Sequence, residues 1–541
     1  MKILKFLLPF NNKIMRKILN YYICIMFLCS FISCIKDQGN YDYTEFNPIK
    51  IDTANSSIKS SYSISFRDVV SIAPKIYYNG ELIKNVDQFK DRLSFTWTLC
   101  QTFSSGTIFP LDTLSHDIVL DAPILQSSGT WEIKLTVKDL ETNIDTYAKF
   151  ALNISESFPD GWMALYERNG ETEVGLIVDE RVKSNVVHNR VLYDILKDAN
   201  GQSLIGKPVT FQYAQSSGVR DRRVIIVSDQ DMIGVDKSSF VKTLSFDEFF
   251  FASPTTKKVT AFTGIASKDF IINDNRMYAL DVSSSPTGRD ASKFGLASGN
   301  DQIILAPWQP TKYVQSYNGL AYDSVEKKFL KLTSGTTNFT AFTNLPNAVF
   351  NPNAVGLDLV VYDWGYGGPT PALAFEYLIM KDATKTYLLS ANFASAADAA
   401  VPQKKIDMSS YPGITTVNSM TVAVAGQYLL YSNPNNVYLH KFNNNPPTTE
   451  EIWAAPNGET ITDISVLKSS NLPFQLNANN LFPTVNQYVY FATWNESTEN
   501  GKIYCYKIDI TNGSIDRSTE RVYEGFGKIK EMNYKYNLPG T

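Results

Sequence analysis

The chain has 541 residues, of which 44% are hydrophobic and 19% charged, with a formal net charge of −4. That length exceeds one ordinary core and that composition is typical of folded proteins, so two to four domains or one large repeat architecture are expected and global disorder is a poor reading. Residues 1–33 hold Lys2, Lys5, Lys13, Arg16 and Lys17 and no acid, which leaves 45 of the 50 cations against 54 acids beyond them and argues against a nucleic-acid partner.

The first predicted element is an export signal over residues 1–33. Met15-Arg-Lys supplies a positive start and Ile18 to Ile32 an apolar run, long enough for a signal peptide and too short for a confident membrane span. Ser33 before Cys34 fits processing by a lipoprotein signal peptidase, with diacylglycerol then carried on the Cys34 sulfur. Phe31 is bulkier than the usual residue at its place, and an ordinary secretory signal is the alternative. Several acyl chains would anchor the protein stably, each buried CH2 contributing about 0.8 kcal/mol. Of the other cysteines, 24 and 29 lie in the signal. Cys100 and Cys505 are far apart in separate strand-like segments, so buried free thiols are expected.

Three stretches carry a resemblance. Cys34-Ile-Lys-Asp-Gln-Gly-Asn-Tyr-Asp-Tyr43, Gly161-Trp-Met-Ala-Leu-Tyr-Glu167 with Asn169-Gly170 and Val174 to Ile177, and Lys528-Ile-Lys-Glu-Met-Asn-Tyr-Lys535 resemble landmarks of the PKD-like family lipoproteins of Bacteroidota. The resemblance implies an accessory of outer-membrane nutrient uptake beside a TonB-dependent transporter and its lidding lipoprotein, with glycan or peptide as cargo. It implies no catalytic residue.

Residues 34–60 are polar and read as a lipidated tether. Over 61–156, runs at Tyr62 to Phe66, Val69 to Tyr78, Leu93 to Leu99, Asp117 to Leu120, Gly129 to Asp139 and Asp145 to Ser155 are rich in β-branched and aromatic residues and separated by turn residues, which predicts an Ig-like sandwich. Trp131, Ile133, Leu135 and Val137 alternate with Glu132, Lys134 and Thr136, so one face is expected to be buried. Trp97, with the strand that ends Val137-Lys-Asp139, is similar to the PKD-type version of that sandwich.

From 157 to 541 the spacing changes. Strand groups fall at Trp162 to Val178, Val209 to Val235, Val259 to Val282, Gly319 to Leu332, Leu357 to Leu389, Met420 to Phe442 and Ile461 to Tyr506. Seven groups at blade-like intervals predict a β-propeller-like domain of about seven blades, the fold class being all-β throughout. Lys528 to Tyr534 is expected as the outer strand closing the ring, and Val191 to Lys197 as a helical turn or two. Further sandwiches or a β-helix are the alternatives.

Chemistry is sparsely signalled. His116, His188 and His440 lack metal-ligand spacing, so no metal and no cofactor are expected. Gly295-Leu-Ala-Ser-Gly299 has its serine one place too late for a nucleophile elbow. Asp229 with Asp231, Asp247 with Glu248, Asp358 with Asp363, and Glu496 with Glu499 are the nominable carboxylate pairs, and sequence does not show the separation that glycoside hydrolysis requires. Asn273-Asp-Asn275 lacks the rest of a calcium loop and reads as a β-turn.

The most informative stretch is Val361-Tyr-Asp-Trp-Gly-Tyr-Gly-Gly-Pro369, taken as a loop. Tyr362, Asp363, Trp364 and Tyr366 offer flat aromatic faces and an acid to a sugar or an extended peptide, against the alternative of packing between blades. Trp308 and Trp494-Asn-Glu496 are weaker candidates. The expectation is a non-enzymatic, lipid-anchored outer-membrane protein, displayed at the cell surface or the periplasmic face, that binds glycan or peptide. A carboxylate-dependent propeller glycosidase or lyase, and a protein-protein scaffold, are the rival classes.

Overall fold

A computed structural model describes residues 49–535, with Lys17 and Tyr21, except 55–57, 66–67, 86, 88, 102–111, 127–128, 156–157, 183–185, 187–188, 214–222, 266–267, 281–292, 301, 311–318, 333–336, 367–373, 394–399, 425, 467, 469–483 and 485. The processing junction and Cys34 therefore lie outside the described residues.

The first part is a sandwich. Its larger sheet runs in the order Ser61–Ser65, Ile144–Ser155, Gly129–Asp139, Leu93–Gln101 and Asp112–Ser115. Alternation holds where it was clearest: Ile133, Leu135 and Val137 are buried against Trp97, while Trp131 is only half-buried at the strand's start. The Trp97 indole N–H donates to Asp117 O at 2.9 Å, which satisfies the one polar atom of a side chain fully inside the core.

Two details differ from expectation. Val69 to Tyr78 is not one strand but Val69–Ile72 and Lys75–Tyr78, which pair with Leu120–Pro123 and Lys50–Asp52 respectively. The break falls at Ala73-Pro74, where proline removes a ladder donor. Lys50–Asp52 itself belongs to the sandwich although the sequence there reads as tether; buried Ile49 and half-buried Ile51 carry the chain onto the core.

Beyond Phe158, seven sheets follow among the described residues, and each contains one of the seven strand groups. Blade 1 comprises Lys528–Lys535, Gly161–Arg168, Glu171–Val178 and Arg190–Leu192, from the inside outward, with the short strand Leu204–Ile205 pairing beside Arg190–Leu192 on the outer edge of Glu171–Val178. Blades 2, 3, 5, 6 and 7 are four-stranded and ordered as in the chain, starting at Pro208–Tyr213, Val259–Ile265, Asp358–Tyr366, Ser419–Val422 and Glu459–Val466. Blade 4 has three strands from Gly319–Asp323 outward. Its inner position is held by the segment running from Leu305, which bridges to Asp323, to Pro310. Pro307 and Pro310 lack the donors that a full strand there would need.

The closing strand is innermost, not outermost. Lys528–Lys535 pairs with Gly161–Arg168 on one edge, and its buried Ile529, Met532 and Tyr534 pack inward. The outer position of blade 1 is already filled by Arg190–Leu192. That same segment displaces the expected helical turn, which starts later, at Ile195–Asn200. The pairing of Lys528–Lys535 with Gly161–Arg168 joins the first and last parts of the ring within one blade. It is reinforced by Asp179 of blade 1, which accepts from Arg521 at 2.6 Å and from the Tyr523 hydroxyl at 2.5 Å in blade 7.

Sandwich and ring meet at blade 1. Asp68 of the sandwich pairs with Arg190, and Lys535 Nζ ties the connecting segment to the closing strand by donating to Phe158 O at 2.8 Å. Cys100 and Cys505 are buried and unbonded to each other, as the spacing implied.

Candidate site in the central channel

The innermost strands are built alike without a shared sequence. In blades 1, 2, 3, 5 and 7 the pairing with the second strand slips by one residue, at Lys530, Val209, Thr260, Val360 and Thr462. A bulge of this kind inserts an unpaired residue and re-aims its neighbours. All five bulge residues line one cavity of about 670 Å³ on the ring axis. The inner strands run parallel to one another: Ser419 Oγ accepts from Ile464 N at 3.1 Å and Thr421 Oγ1 from Val466 N at 3.3 Å, a two-residue advance on both strands.

This construction corrects the reading of residues 361–369. Val361 to Tyr366 is not loop but the inner strand of blade 5, paired to Ala374–Lys381, while 367–369 lie outside the described residues. Gly365 serves close approach and not a turn. A Cβ there would stand 2.8 Å from Ala423 O and 3.0 Å from Val422 Cγ1 of blade 6, so any side chain would push the blades apart.

Three of the four predicted ligand residues line the channel. Tyr362 is half-buried and its hydroxyl donates to Pro307 O at 3.2 Å, with burial pushing its ionisation well up. Asp363 accepts from Val422 N at 2.6 Å and pairs with Lys468. Trp364 is half-buried, with Lys468 Nζ 5.1 Å from its ring centroid. Tyr366 does not reach the cavity; it is 3% exposed and meets Trp364 edge-on at 5.6 Å.

Lys468 ties three blades together. Its ammonium donates to the Asp363 carboxylate, to Trp364 O at 2.9 Å and to Val422 O at 3.3 Å. Burial pulls its ionisation down and Asp363 opposes that. Three donors meeting three acceptors makes Asp363 a member of a lock rather than a free grip for ligand.

A second acidic pair lies farther along the wall. Asp463 and Glu531 each follow the bulge residue of their strand, so they hold equivalent places in blades 7 and 1. Asp463 accepts from Ser419 Oγ at 2.9 Å and from Met532 N at 3.2 Å; Glu531 accepts from Gln212 at 3.1 Å. Gln212 and the Thr210 hydroxyl also donate to Gln309, each at 3.3 Å. Desolvation pushes both carboxyls up to about 7, and the Asp463 charge raises Glu531 further while Lys530 lowers both. Perturbed acids in a cleft mark functional candidates.

The sequence pairs nominated as carboxylate couples do not assemble here. Only Asp363 of those eight lines the channel, and Asp358 pairs at 3.0 Å with Lys327. Trp308 is a core residue packed on Phe329 and Phe393. Trp494 donates to Glu496 at 2.6 Å away from the channel. Asp274 and Asn275 have φ of 48° and 62°, the turn between two strands of blade 3. No cluster of three or more metal-ligating side chains occurs among the described residues. Asp463 and Glu531 escaped the sequence reading because a bulge leaves no motif, only a broken alternation.

Residues 34–208 match the PKD-like family. The match begins at Cys34, spans the sandwich and extends through the described N-terminal strands of blade 1. No curated protein matches the chain. Among solved structures, a quinonprotein alcohol dehydrogenase-like protein from Bacteroides thetaiotaomicron is 10% identical, covering 90% of this chain and 99% of its own with a TM-score of 0.40. A functionally unknown protein from Desulfotomaculum acetoxidans is 9% identical over 66% and 98%, with a TM-score of 0.34. The WD40 domain of SCAP from fission yeast is 11% identical over 59% and 74%, with a TM-score of 0.31. With all three scores below 0.5, the propeller assignment rests on the order of the sheets.

Proposed function

We propose that the protein is a lipid-anchored component of the cell envelope that binds a glycan or peptide in the central channel of its propeller without turning it over. The observation that carries this reading is the channel itself, about 670 Å³ lined by Tyr213, Tyr362 and Trp364 together with amide, hydroxyl and carboxyl groups. Aromatic faces with a few convergent polar groups are what a small-ligand pocket needs. Anchoring through Cys34 at the outer membrane is supported by the signal-like residues 1–33 and by a family match that starts at that cysteine. A place beside a TonB-dependent transporter follows from the resemblance of the landmark stretches to envelope lipoproteins of Bacteroidota.

The test is retention on immobilised glycans and peptides, run beside a turnover assay. Retention by the wild type that falls at least about tenfold in Trp364→Ala, a loss of about 1.4 kcal/mol and so near the upper end of what an aromatic contact is worth, supports the reading. Retention unaffected by that change removes the site from the channel. For the anchor, Cys34→Ala should move the protein from the membrane to the soluble fraction, and continued membrane association would contradict lipidation.

Asp463 and Glu531 favour a second reading, a carboxylate-dependent glycosidase or lyase, since acids held near neutrality suit general acid catalysis. Turnover in the same panel, abolished by Glu531→Gln, would establish it.

A further inference from the structure

The channel wall spends its charges on itself. Lys468 is saturated by Asp363 and two carbonyls, and Lys530 is the other lysine lining the cavity, on the same strand as Glu531. Apart from Glu376 and the Asp463–Glu531 pair, what the wall presents otherwise is neutral and double-natured. Gln212 and Gln309 offer amides, Ser419, Thr421 and Thr462 hydroxyls, and Tyr362 and Trp364 ring faces. Two buried polar atoms here have no partner among the described residues. One is Thr462 Oγ1, at the bulge beside Asp463; the other is Nε1 of Trp162, a cavity-lining side chain only 1% exposed.

We propose that Asp463, Glu531 and the amides of Gln212 and Gln309 form a subsite for an uncharged, hydroxyl-bearing ligand, a neutral saccharide. The inference rests on the channel being the binding site, as argued above, and narrows the ligand to one class. A sugar hydroxyl both donates and accepts, and so do a protonated carboxyl, an amide and a threonine hydroxyl. Of the two lysines that line the cavity, Lys468 is spent on Asp363 and two carbonyls and Lys530 stands beside the acid pair, so an anionic ligand would have to compete with those groups for its counter-charge. A cationic one would need the pair ionised in a wall that disfavours charge, with Lys530 already beside it.

The ionisable groups facing the pair are Lys530 on the strand of Glu531, Tyr362 on blade 5 and, beyond it, Glu376 and the Asp363–Lys468 pair. Blades 2 and 6 face it with Thr210, Gln212 and Ser419. Burial holds both acids protonated up to about 7. The donor that a hydroxyl needs is therefore present in mildly acidic solution and lost above neutrality.

The experiment is titration calorimetry with neutral cello-, xylo-, manno- and malto-hexaose, a hexagalacturonate, and lysine and alanine tripeptides, at about pH 6 and about pH 8.5. The expected result is binding of at least one neutral hexaose at the lower pH that weakens about tenfold or more at the higher, one proton per ligand site costing tenfold per pH unit above the titration point. The Asp463→Asn/Glu531→Gln protein, checked for an intact melting transition, should bind alike at both, because amides keep a donor and an acceptor. Binding of the uronate or a tripeptide that depends on Trp364, or of a hexaose with no pH response, overturns the subsite and leaves the channel standing as the site. Binding of nothing on the panel overturns both.

Discussion

Asp363 and Asp463 sit on inner strands two blades apart, both in the wall of the same channel, and the protein treats them in opposite ways. Asp363 has a dedicated cation: Lys468 closes on it from the end of blade 7's inner strand, and side-chain exposures of 16% and 8% show how little water either retains. Asp463 has hydrogen-bond donors, Ser419 and Met532 N, and a second acid as its structural equivalent in the neighbouring blade. A charge held by its counter-ion is a structural tie, whereas an acid whose titration desolvation pushes toward neutrality is a group that a ligand or a proton can address. Function is therefore sought at the second pair.

The largest effect is expected at the lock. Lys468→Ala leaves an uncompensated buried carboxylate and should cost about 3–5 kcal/mol in denaturant unfolding, with Asp363→Asn in the same chain recovering part of it; a loss below about 1 kcal/mol would mean the pair is not a tie. The acid pair should answer to pH instead. A carboxyl whose native value lies above its unfolded one adds stability in acid that is lost as pH rises through about 7. Asp463→Asn should accordingly be the more stable protein at about pH 8.5, by about 3 kcal/mol relative to the same comparison at about pH 4, and a pH-independent difference would show that the acid is ionised throughout. The smallest effect is expected where the lock's blades touch: Gly365→Ala should lower stability by about 1–3 kcal/mol through overpacking against Val422 and Ala423, and an unchanged melting profile would deny the close approach.

Much of the architecture was legible because it follows hydrophobic periodicity. The strand groups from Trp162 to Tyr506 each correspond to one sheet, since β-branched and aromatic runs between turn residues report pairing directly. What periodicity does not report is which edge a strand takes. Lys528–Lys535 reads the same as an inner or an outer strand, and only the occupancy of the outer place by Arg190–Leu192 decides it.

The site divides along the same line. Tyr362 and Trp364 drew notice by composition and do face the channel, but the glycines around them mislead: Gly365 marks blade-to-blade contact, which sequence cannot distinguish from a turn. Asp463 and Glu531, embedded in Ile461-Thr-Asp-Ile-Ser-Val466 and Lys528-Ile-Lys-Glu-Met-Asn-Tyr534, are far apart in the chain. Only ring closure makes them neighbours.

Whether the channel or the outer surface of the ring receives the ligand is decided by comparing two tryptophans. Trp364→Ala and Trp494→Ala should be assayed side by side for retention on the immobilised glycan and peptide panel. The channel account predicts retention lost at least about tenfold in the first and unchanged in the second. Equal retention by both variants, or loss confined to Trp494→Ala, would contradict it.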